Sequence, residues 1–363
     1  MRFLLAAGGT GGHVIPALVV AQELMVRQPA DRILFVGTAR GLESRLVPQH
    51  GFSLDLVEIG AWQGQSVAAR LETVAHLPGA MWQAIRILER FQPNVVLGVG
   101  GYAAGPVMAA AALSGIPLAV LEPNAYPGMA NRWIAPFVTR AFLAFPETAT
   151  YFGPRAPLVV GIPVRREFFE IEHKRRKPPF TVLIFGGSQG ARTLNRAVVE
   201  ALPMLERCGN DLLLVHQTGQ SEYQAVKESY AKCSVRAEVY PYIEMMSAEF
   251  SRADLVVCRA GANTLAELAA AGRAAILVPY PWAANQHQLR NAQALAGRGA
   301  ARLIIDREFN GDTFFAAVRE MQAEPETIER MEARIRSLAR PEATMRIADE
   351  LERLARRGVT GQV

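Results

Sequence analysis

The chain has 363 residues, half of which are hydrophobic, and it carries a formal net charge of +5. That length predicts two domains of roughly 150 to 200 residues, each large enough to bury an ordinary core. The positive excess is too small to indicate a nucleic-acid partner, although it suits an anionic membrane face or a phosphate-bearing substrate. Cys208, Cys233 and Cys258 are far apart in the sequence. This spacing argues against a disulfide framework or a zinc site and favours buried thiols in a reducing cytosol.

Short apolar runs alternate with helical patterns along the whole chain. The predicted strands cover residues 3–7, 33–36, 54–58, 95–99, 118–121, 139–143, 181–185, 212–216, 235–239, 255–258 and 275–278. Nearly continuous apolar strands separated by helices are typical of parallel sheets covered on both faces. The sequence therefore predicts an α/β protein with two Rossmann-like, doubly wound parallel-sheet domains facing a shared cleft. In such folds ligands bind at the carboxyl ends of the strands.

Two stretches resemble export or membrane segments at first sight. The apolar run at residues 2–7 is too short for a signal peptide. Residues 91–121 carry no charge, but three prolines and five glycines interrupt them. A lipid-exposed helix of about 20 residues would not be interrupted so often. We predict a strand, a helix over 106–114 and a second strand in this stretch instead.

A basic, proline-ended stretch at residues 173–179 lies between the two halves, and we interpret it as an exposed linker. We expect a first domain over residues 1–164 and a second domain over 165–341. An amphipathic C-terminal helix within residues 342–363 is expected to pack back on the first domain.

A glycine-rich turn at residues 8–12 joins the first predicted strand to a helix. The backbone N–H groups of such a turn converge at a helix N-terminus and can hold an anion. His13 follows directly and could act as a general base near neutral pH, or it could simply cap backbone groups. A dinucleotide fingerprint would need glycine at Val14, and no lysine follows a glycine anywhere in the chain. A dehydrogenase and a Walker-type NTPase are therefore disfavoured.

A second glycine turn, at residues 186–190, follows another strand and matches the G-x-S-x-G pattern of serine hydrolases. No acid and histidine in the expected order are evident after it. The alternative is that the Ser188 hydroxyl and the neighbouring backbone amides bind phosphate at a helix N-terminus.

Two further turns carry polar side chains. Glu267 lies early in a helix, where the helix dipole could favour it or where it could accept hydrogen bonds from both hydroxyls of a ribose. The amides at residues 285–288 could bind sugar hydroxyls or cap a helix. No Asp-x-Asp pair occurs, so we expect neither a metal nor a cofactor. Helix N-termini, amides and a cation such as Arg165 would then offset leaving-group charge.

Five motifs in series resemble the MurG family of glycosyltransferases in order and spacing. They lie at residues 8–13, 98–102, 161–165, 186–191 and 258–261. Members of this family transfer N-acetylglucosamine from UDP-N-acetylglucosamine to lipid I, giving lipid II in peptidoglycan synthesis. The resemblance implies a GT-B architecture and an inverting, metal-independent reaction. It also implies a peripheral position on the cytoplasmic, anionic face of the cell membrane.

Carried over to this sequence, the resemblance gives each candidate site residue a role. Donor contacts would come from Arg165 and Ser188 at the diphosphate, from the Ile243 backbone at uracil, from Glu267 at the ribose, and from Gln288 at the N-acetylglucosamine hydroxyls. The run that lines the phosphates would be Ala262, Asn263, Thr264, Leu265 and Ala266. Thr10, Gly11, Gly12 and Asn124 would close the sugar side, next to the candidate base His13.

The chain departs from the family pattern near the acceptor. Leu121 and Pro123 stand where many members have histidine and glutamine. The membrane-facing segment, here residues 62–91, keeps Leu77, Met81, Trp82 and Ile85 but has few cations. We therefore expect apolar anchoring to outweigh charge attraction in this chain.

Three alternative functions remain open at this point. The first is a related GT-B enzyme with another acceptor, such as a diacylglycerol glycosyltransferase. The second is a serine hydrolase that uses Ser188. The third is a nucleotide-sugar binding protein without turnover.

Overall fold

The computed structural model describes residues 1–59, 67–101, 103–154, 156–172, 177–207 and 211–360, and for 67–76 and 358–360 it describes the backbone alone. Tyr102, Cys208, and residues 62–66 and 173–176 of the predicted membrane and linker segments lie outside this range. The chain divides into two compact units, Met1–Val164 with Arg340–Val363, and Arg165–Ala339.

The first unit is built on a seven-stranded parallel sheet. Its strands are β1 (Arg2–Ala7), β2 (Arg32–Gly37), β3 (Ser53–Leu56), β4 (Val95–Gly100), β5 (Leu118–Glu122), β6 (Arg140–Leu143) and β7 (Pro157–Val159). They lie in the order β3-β2-β1-β4-β5-β6-β7. Successive residues of β1 enter the cores on opposite faces of the sheet, with Phe3 and Leu5 in one and Leu4 and Ala6 in the other. A strand buried on both faces needs this unbroken apolar run.

Helices cover both faces of this sheet. They are α1 (Gly11–Arg27), α2 (Glu43–Gln49), α3 (Val67–Phe91), α4 (Ala104–Leu113) and α5 (Met129–Ile134), followed at the far end of the chain by α13 (Ala343–Thr360). The C-terminal helix α13 belongs to this unit because Ile347, Leu351 and Leu354 are buried in the same core as Phe3 and Leu5. Among the described residues, no helix is both long enough and apolar enough to cross a membrane.

The second unit is built on a six-stranded parallel sheet. Its strands are β8 (Phe180–Phe185), β9 (Leu212–Gln217), β10 (Ala237–Tyr240), β11 (Leu255–Cys258), β12 (Ala275–Leu277) and β13 (Arg302–Leu303), in the order β10-β9-β8-β11-β12-β13. Its helices are α6 (Arg192–Glu206), α7 (Tyr223–Tyr230), α8 (Met246–Arg252), α9 (Ala262–Ala271), α10 (His287–Ala296), α11 (Gly311–Ala323) and α12 (Pro325–Ser337).

The strand order reverses beside β1 in the first sheet and beside β8 in the second. In open parallel sheets such a switch point leaves a crevice at the carboxyl ends of the strands, where ligands bind. Both predicted glycine turns follow these two strands. The predicted α/β class with doubly wound parallel sheets is confirmed, and all eleven predicted strands are present. The strands β7 and β13 were not predicted, because they are short and lie at the edges of their sheets, where burial is incomplete.

Candidate active site

The first glycine turn is held by the neighbouring strand β4. The Gly8 N–H donates to the Gly100 carbonyl at 3.3 Å, and a side chain at Gly101 would overlap the Gly8 carbonyl. Gly9 has φ +88° and Gly101 has φ +89°, a backbone region that residues with a Cβ rarely adopt. The turn between β1 and α1 is therefore closed by backbone contacts that only glycine permits.

His13 is the third residue of α1 and is half-buried. Its N–H donates to the Thr10 carbonyl at 3.1 Å. Its imidazole lies against the backbone of Gly100, since a Cβ built there would come within 2.9 Å of Cδ2 and Nε2. Thr10 is exposed and makes no side-chain cap at the start of α1, while Gly11 and Gly12 are half-buried. These residues form one continuous turn that leads into the helix.

The first turn differs from the expected anion site in one respect. The Gly9 N–H donates at 2.8 Å to Oε2 of Glu43, a fully buried carboxylate at the start of α2. A donor that a carboxylate already occupies is not available to a substrate phosphate. Sequence reasoning did not identify Glu43, because its partner lies 34 residues away.

Asn124 lies in a loop after β5 that a second buried carboxylate organises. Glu122 accepts hydrogen bonds from the N–H and Nδ2 of Asn124 at 3.0 and 3.2 Å, from the Gly128 N–H at 2.8 Å and from Asn131 Nδ2 at 2.9 Å. Burial raises the pKa of Glu122, and these donors oppose that rise. The Thr148 hydroxyl donates to the Asn124 carbonyl at 3.1 Å, so the loop is fixed from several sides.

The two positions that depart from the family pattern are both buried. Leu121 is fully buried in the core of the first unit, and Pro123 is also buried. Their replacement of polar residues therefore changes the packing beside the Asn124 loop rather than an exposed surface.

The second glycine turn lies between β8 and α6, and Ser188 is exposed on it. Positive φ angles fall on Gly187 (+95°) and Gly190 (+75°), not on Ser188. A nucleophile elbow instead strains the backbone at its serine, so the turn does not have the geometry of a serine hydrolase. A side chain at Gly190 would overlap the Thr218 carbonyl. Because α6 begins without a side-chain cap, its first N–H groups remain suited to an anion.

Gln217 connects this turn to Ile243. Its Nε2 donates to the Gly187 carbonyl at 2.9 Å, and its Oε1 accepts from the Ile243 N–H at 2.8 Å. Gln217 is almost completely buried, so a lost hydrogen bond there would leave a polar group without water. Sequence reasoning missed Gln217, since a glutamine at a strand end gives no sign of which groups it will meet.

A buried polar network lies beside the same turn. His216 Nε2 lies 3.1 Å from Oδ1 of Asn195, and its Nδ1 lies 3.1 Å from the Tyr230 hydroxyl. An amide oxygen only accepts, so the network assigns the proton to Nε2. Asn195 in turn donates to the Thr218 carbonyl at 2.9 Å. Burial lowers the pKa of His216 to about 3, which keeps the imidazole neutral.

Glu267 and Arg165 form an ion pair in the second unit, with Nη2 to Oε1 at 3.1 Å. Glu267 is buried in the second turn of α9, beyond the first turn where the dipole acts. The dipole explanation for this carboxylate therefore loses support. Burial raises the pKa of Glu267, and Arg165 opposes that rise. Arg165 also lies 3.5 Å from Glu167 and stacks on Phe168.

The start of α9 has no side-chain cap, which leaves its first backbone N–H groups suited to an anion. Ala262 and Leu265 are buried, while Asn263, Thr264 and Ala266 are half-buried. The predicted phosphate-lining run thus divides into residues that anchor the helix and residues that are partly accessible.

Gln288 is half-buried in the first turn of α10, and its Oε1 accepts from the Tyr280 N–H at 3.0 Å. The preceding Asn285 and Gln286 adopt left-handed backbone conformations, with φ of +51° and +54°. Such conformations in residues other than glycine are uncommon and cluster at functional sites. The described residues contain no group of three or more His, Cys, Asp or Glu side chains that could hold a metal ion.

Comparisons with known proteins connect these two units to one family. The N-terminal domain model of glycosyltransferase family 28 matches residues 3–143, and its C-terminal domain model matches residues 181–347. A relative from Solibacter usitatus is named UDP-N-acetylglucosamine–N-acetylmuramyl-(pentapeptide) pyrophosphoryl-undecaprenol N-acetylglucosamine transferase. It is 46% identical over 98% of this chain and 96% of its own length. The chain belongs to glycosyltransferase family 28.

Other similarities agree with this family 28 assignment. A relative of the same name from Myxococcus xanthus is 42% identical over 96% of this chain and 92% of its own length. The crystal structure of MurG from Acinetobacter baumannii matches with a TM-score of 0.80 and 32% identity, covering 97% of this chain and 99% of that one. The predicted resemblance to MurG is confirmed. The family 28 chain is a glycosyltransferase.

The fold is shared more widely than the family. A UDP-N-acetylglucosamine 2-epimerase from Neisseria meningitidis matches with a TM-score of 0.68 at 12% identity, covering 97% of this chain and all of that one. This similarity shows only that the fold is shared. The assignment of this chain to family 28 therefore depends on its sequence relatives.

Proposed function

We propose that this chain transfers N-acetylglucosamine from UDP-N-acetylglucosamine to the 4-hydroxyl of the muramyl sugar of lipid I. The products are lipid II, for peptidoglycan synthesis, and UDP. The observation that carries this proposal is the identity of 42–46% over nearly the full length to relatives named for that transfer. We assign the acceptor and the membrane face to the first unit with its C-terminal helix, and the donor to the second unit.

The donor contacts that we propose use groups in the segments that follow β8, β10, β11 and β12. Glu267 would accept hydrogen bonds from the ribose hydroxyls. The Ile243 N–H already donates to Gln217, so we assign the uracil contact to the Ile243 carbonyl. Gln288 already uses Oε1 on the Tyr280 N–H, so its Nε2 is the group we assign to a sugar hydroxyl.

The leaving diphosphate requires positive potential without a metal in this proposal. The start of α6 behind Ser188 and the start of α9 over residues 262–266 would supply backbone N–H groups. Arg165 would supply a full positive charge at the diphosphate. Because Arg165 is held by two carboxylates, the arrival of a diphosphate would redistribute its hydrogen bonds.

His13 is the proposed general base. In an inverting displacement the acceptor oxygen attacks the anomeric carbon while the bond from that carbon to the UDP oxygen breaks. A neutral imidazole would take the proton of the attacking hydroxyl. Thr10, Gly11, Gly12 and Asn124 would contact the sugars on this side, with the Asn124 loop held in place by Glu122.

We also propose peripheral binding of α3 to the cytoplasmic face of an anionic membrane. Trp82 is 62% exposed, while Ala80 and Ala84 on the opposite side of the helix are buried. Leu77, which lies on the same side as Ala84, is 37% exposed. The Arg86 guanidinium lies over the Trp82 ring. An exposed aromatic ring beside a cation suits the boundary between lipid headgroups and hydrocarbon.

The proposal is tested by mixing the protein with UDP-N-acetylglucosamine and a soluble lipid I analogue, with and without excess EDTA. We expect UDP release and a disaccharide product in both conditions. Transfer to diacylglycerol instead would favour the alternative acceptor class. Binding of UDP-N-acetylglucosamine without release of UDP would indicate a binding protein. A transfer rate that is lost in EDTA and restored by magnesium would overturn the metal-independent mechanism.

A further inference from the structure

Glu43 is a fully buried carboxylate with a complete set of neutral donors. Oε2 accepts from the Gly9 N–H at 2.8 Å, and Oε1 accepts from both the N–H and the hydroxyl of Thr38 at 2.8 Å. Among the described residues, no Lys, Arg or His nitrogen forms an ion pair with it. Its charge is therefore met by hydrogen bonds and by its position in the first turn of α2.

Three glycines make room for this carboxylate. A Cβ at Gly8 would come within 2.8 Å of Oε1, and side chains at Gly37 and Gly41 would overlap the Glu43 side chain. These glycines come from the ends of β1 and β2 and from the loop before α2. Burying a carboxylate is costly unless hydrogen bonds replace its water. The three hydrogen bonds to Glu43 meet that requirement. The residues around Glu43 therefore form an anion-binding site that is occupied by a side chain of the protein itself.

The glycine turn that Glu43 holds is the turn that carries His13. The Leu42 N–H donates to the Gly9 carbonyl at 3.2 Å, so both polar groups of Gly9 bind the segment around Glu43. On the opposite side, Gly8 is bound to Gly100, whose backbone also supports the His13 ring. The turn is thus clamped between β4 and the start of α2.

We infer that Glu43 is the internal anion of the first glycine turn and a positioning residue that fixes His13 for the transfer reaction. A substrate phosphate is excluded from the Gly9 N–H, because that donor is occupied and the carboxylate repels a second anion. The turn resembles a phosphate loop but uses its geometry to hold a catalytic side chain. This inference rests on the proposed function, since it gives Glu43 a role through His13.

Glu43→Gln is the variant that tests the inference. It keeps the shape but replaces one acceptor oxygen with an NH₂ group, which is left facing an N–H donor. We expect kcat to fall about 10- to 100-fold, as misplacement of a catalytic group does. The KM for UDP-N-acetylglucosamine and the affinity for UDP should stay within about twofold, since Glu43 does not bind the donor.

Thr38→Val is the matched control. It removes one of the three hydrogen bonds to Glu43 but leaves the bond to the Gly9 N–H intact. We expect a lower melting temperature with kcat within about twofold of the parent enzyme. If Thr38→Val lowers kcat as much as Glu43→Gln does, the effect is one of general stability and the inference is wrong.

A double variant separates this inference from the proposed base. If Glu43 acts through His13, then Glu43→Gln combined with His13→Ala should be no slower than His13→Ala alone. Effects that multiply would overturn the positioning role, as would a normal kcat in Glu43→Gln. A His13→Ala enzyme with normal turnover would instead contradict the proposed base. A parent enzyme that transfers no sugar to the lipid I analogue would contradict the proposed function itself.

Discussion

Arg165 and Glu267 bind each other through a 3.1 Å hydrogen bond between Nη2 and Oε1, although they are proposed to bind different parts of the donor. Glu267 is buried and Arg165 is about one-third exposed. The pair therefore holds both groups in place before the donor arrives and limits the rotamer entropy lost on binding.

Loss of the Glu267 carboxylate should weaken donor binding. We expect Glu267→Ala to reduce UDP affinity by about 1–3 kcal/mol, the range for charge-assisted hydrogen bonds to a ribose. Isothermal calorimetry with UDP measures this change. Glu167→Ala is the control, because Glu167 also pairs with Arg165 but is half-exposed. The UDP affinity of this variant should stay near that of the parent. Equal affinities for Glu267→Ala and the parent would remove Glu267 from the site.

The Gln217 side chain should determine affinity for both uridine and UDP. Gln217→Leu leaves the Ile243 N–H without its Gln217 partner and leaves the Gly187 carbonyl with the Gly190 N–H as its remaining donor. We expect affinity to fall about tenfold. Uridine is the informative probe, since it lacks phosphate and reports on the uracil and ribose contacts without those of the diphosphate. Gln224→Leu removes an exposed glutamine that pairs with Glu228 and should change neither affinity. Unaltered uridine binding in Gln217→Leu would separate Gln217 from the uracil contact.

The assignment of His13 as the general base predicts a change in kinetics when His13 is replaced. His13→Ala should lower kcat at least about 100-fold while leaving UDP affinity nearly unchanged, because imidazole acts on the acceptor hydroxyl. It should also abolish the acidic limb of the pH–rate profile. His50→Ala changes an exposed histidine on the same unit and should retain the parent profile. Near-normal turnover in His13→Ala would leave His13 with a capping role only.

Membrane binding should depend on the exposed face of α3. Trp82→Glu should reduce co-sedimentation with vesicles that contain anionic phospholipid, because it places a charge where an aromatic ring is expected to insert. UDP affinity and melting temperature should be preserved. Trp282 is 82% exposed on the second unit, so Trp282→Glu is the matched control and should bind vesicles normally. Equal vesicle binding by the two variants would contradict anchoring through α3.

The buried His216 gives a pH dependence of stability. Its folded pKa of about 3 lies below the ordinary value of 6.5, so between these values only the unfolded chain binds a proton. Stability should therefore fall as the pH drops below about 6.5, by up to about 1.4 kcal/mol per pH unit.

His216→Gln can keep the contacts to Asn195 and Tyr230 without titrating. The measurement is the change in melting temperature between pH 7 and pH 5, which should be smaller in this variant than in the parent or in His50→Gln. An unchanged pH dependence would mean that His216 does not control acid stability.

The sequence by itself determined the elements whose signals are local. Unbroken apolar runs such as the one in β1 identify strands buried on both faces, and glycines after β1 and β8 identify the turns at the switch points. The family motifs identified the candidate donor residues, which lie in the segments that follow β7, β8, β10, β11 and β12.

Only the tertiary structure decided which side chains organise these turns. Glu43 reaches Gly9 because β2 pairs with β1, and Gln217 reaches Gly187 because β9 pairs with β8. A buried acid or amide carries no local sign of its partner, because its hydrogen bonds depend on the order of the strands in the sheet. Gly8, Gly37 and Gly41 are separate in the sequence and carry no sign of a shared role. Only folding brings these three glycines around one carboxylate.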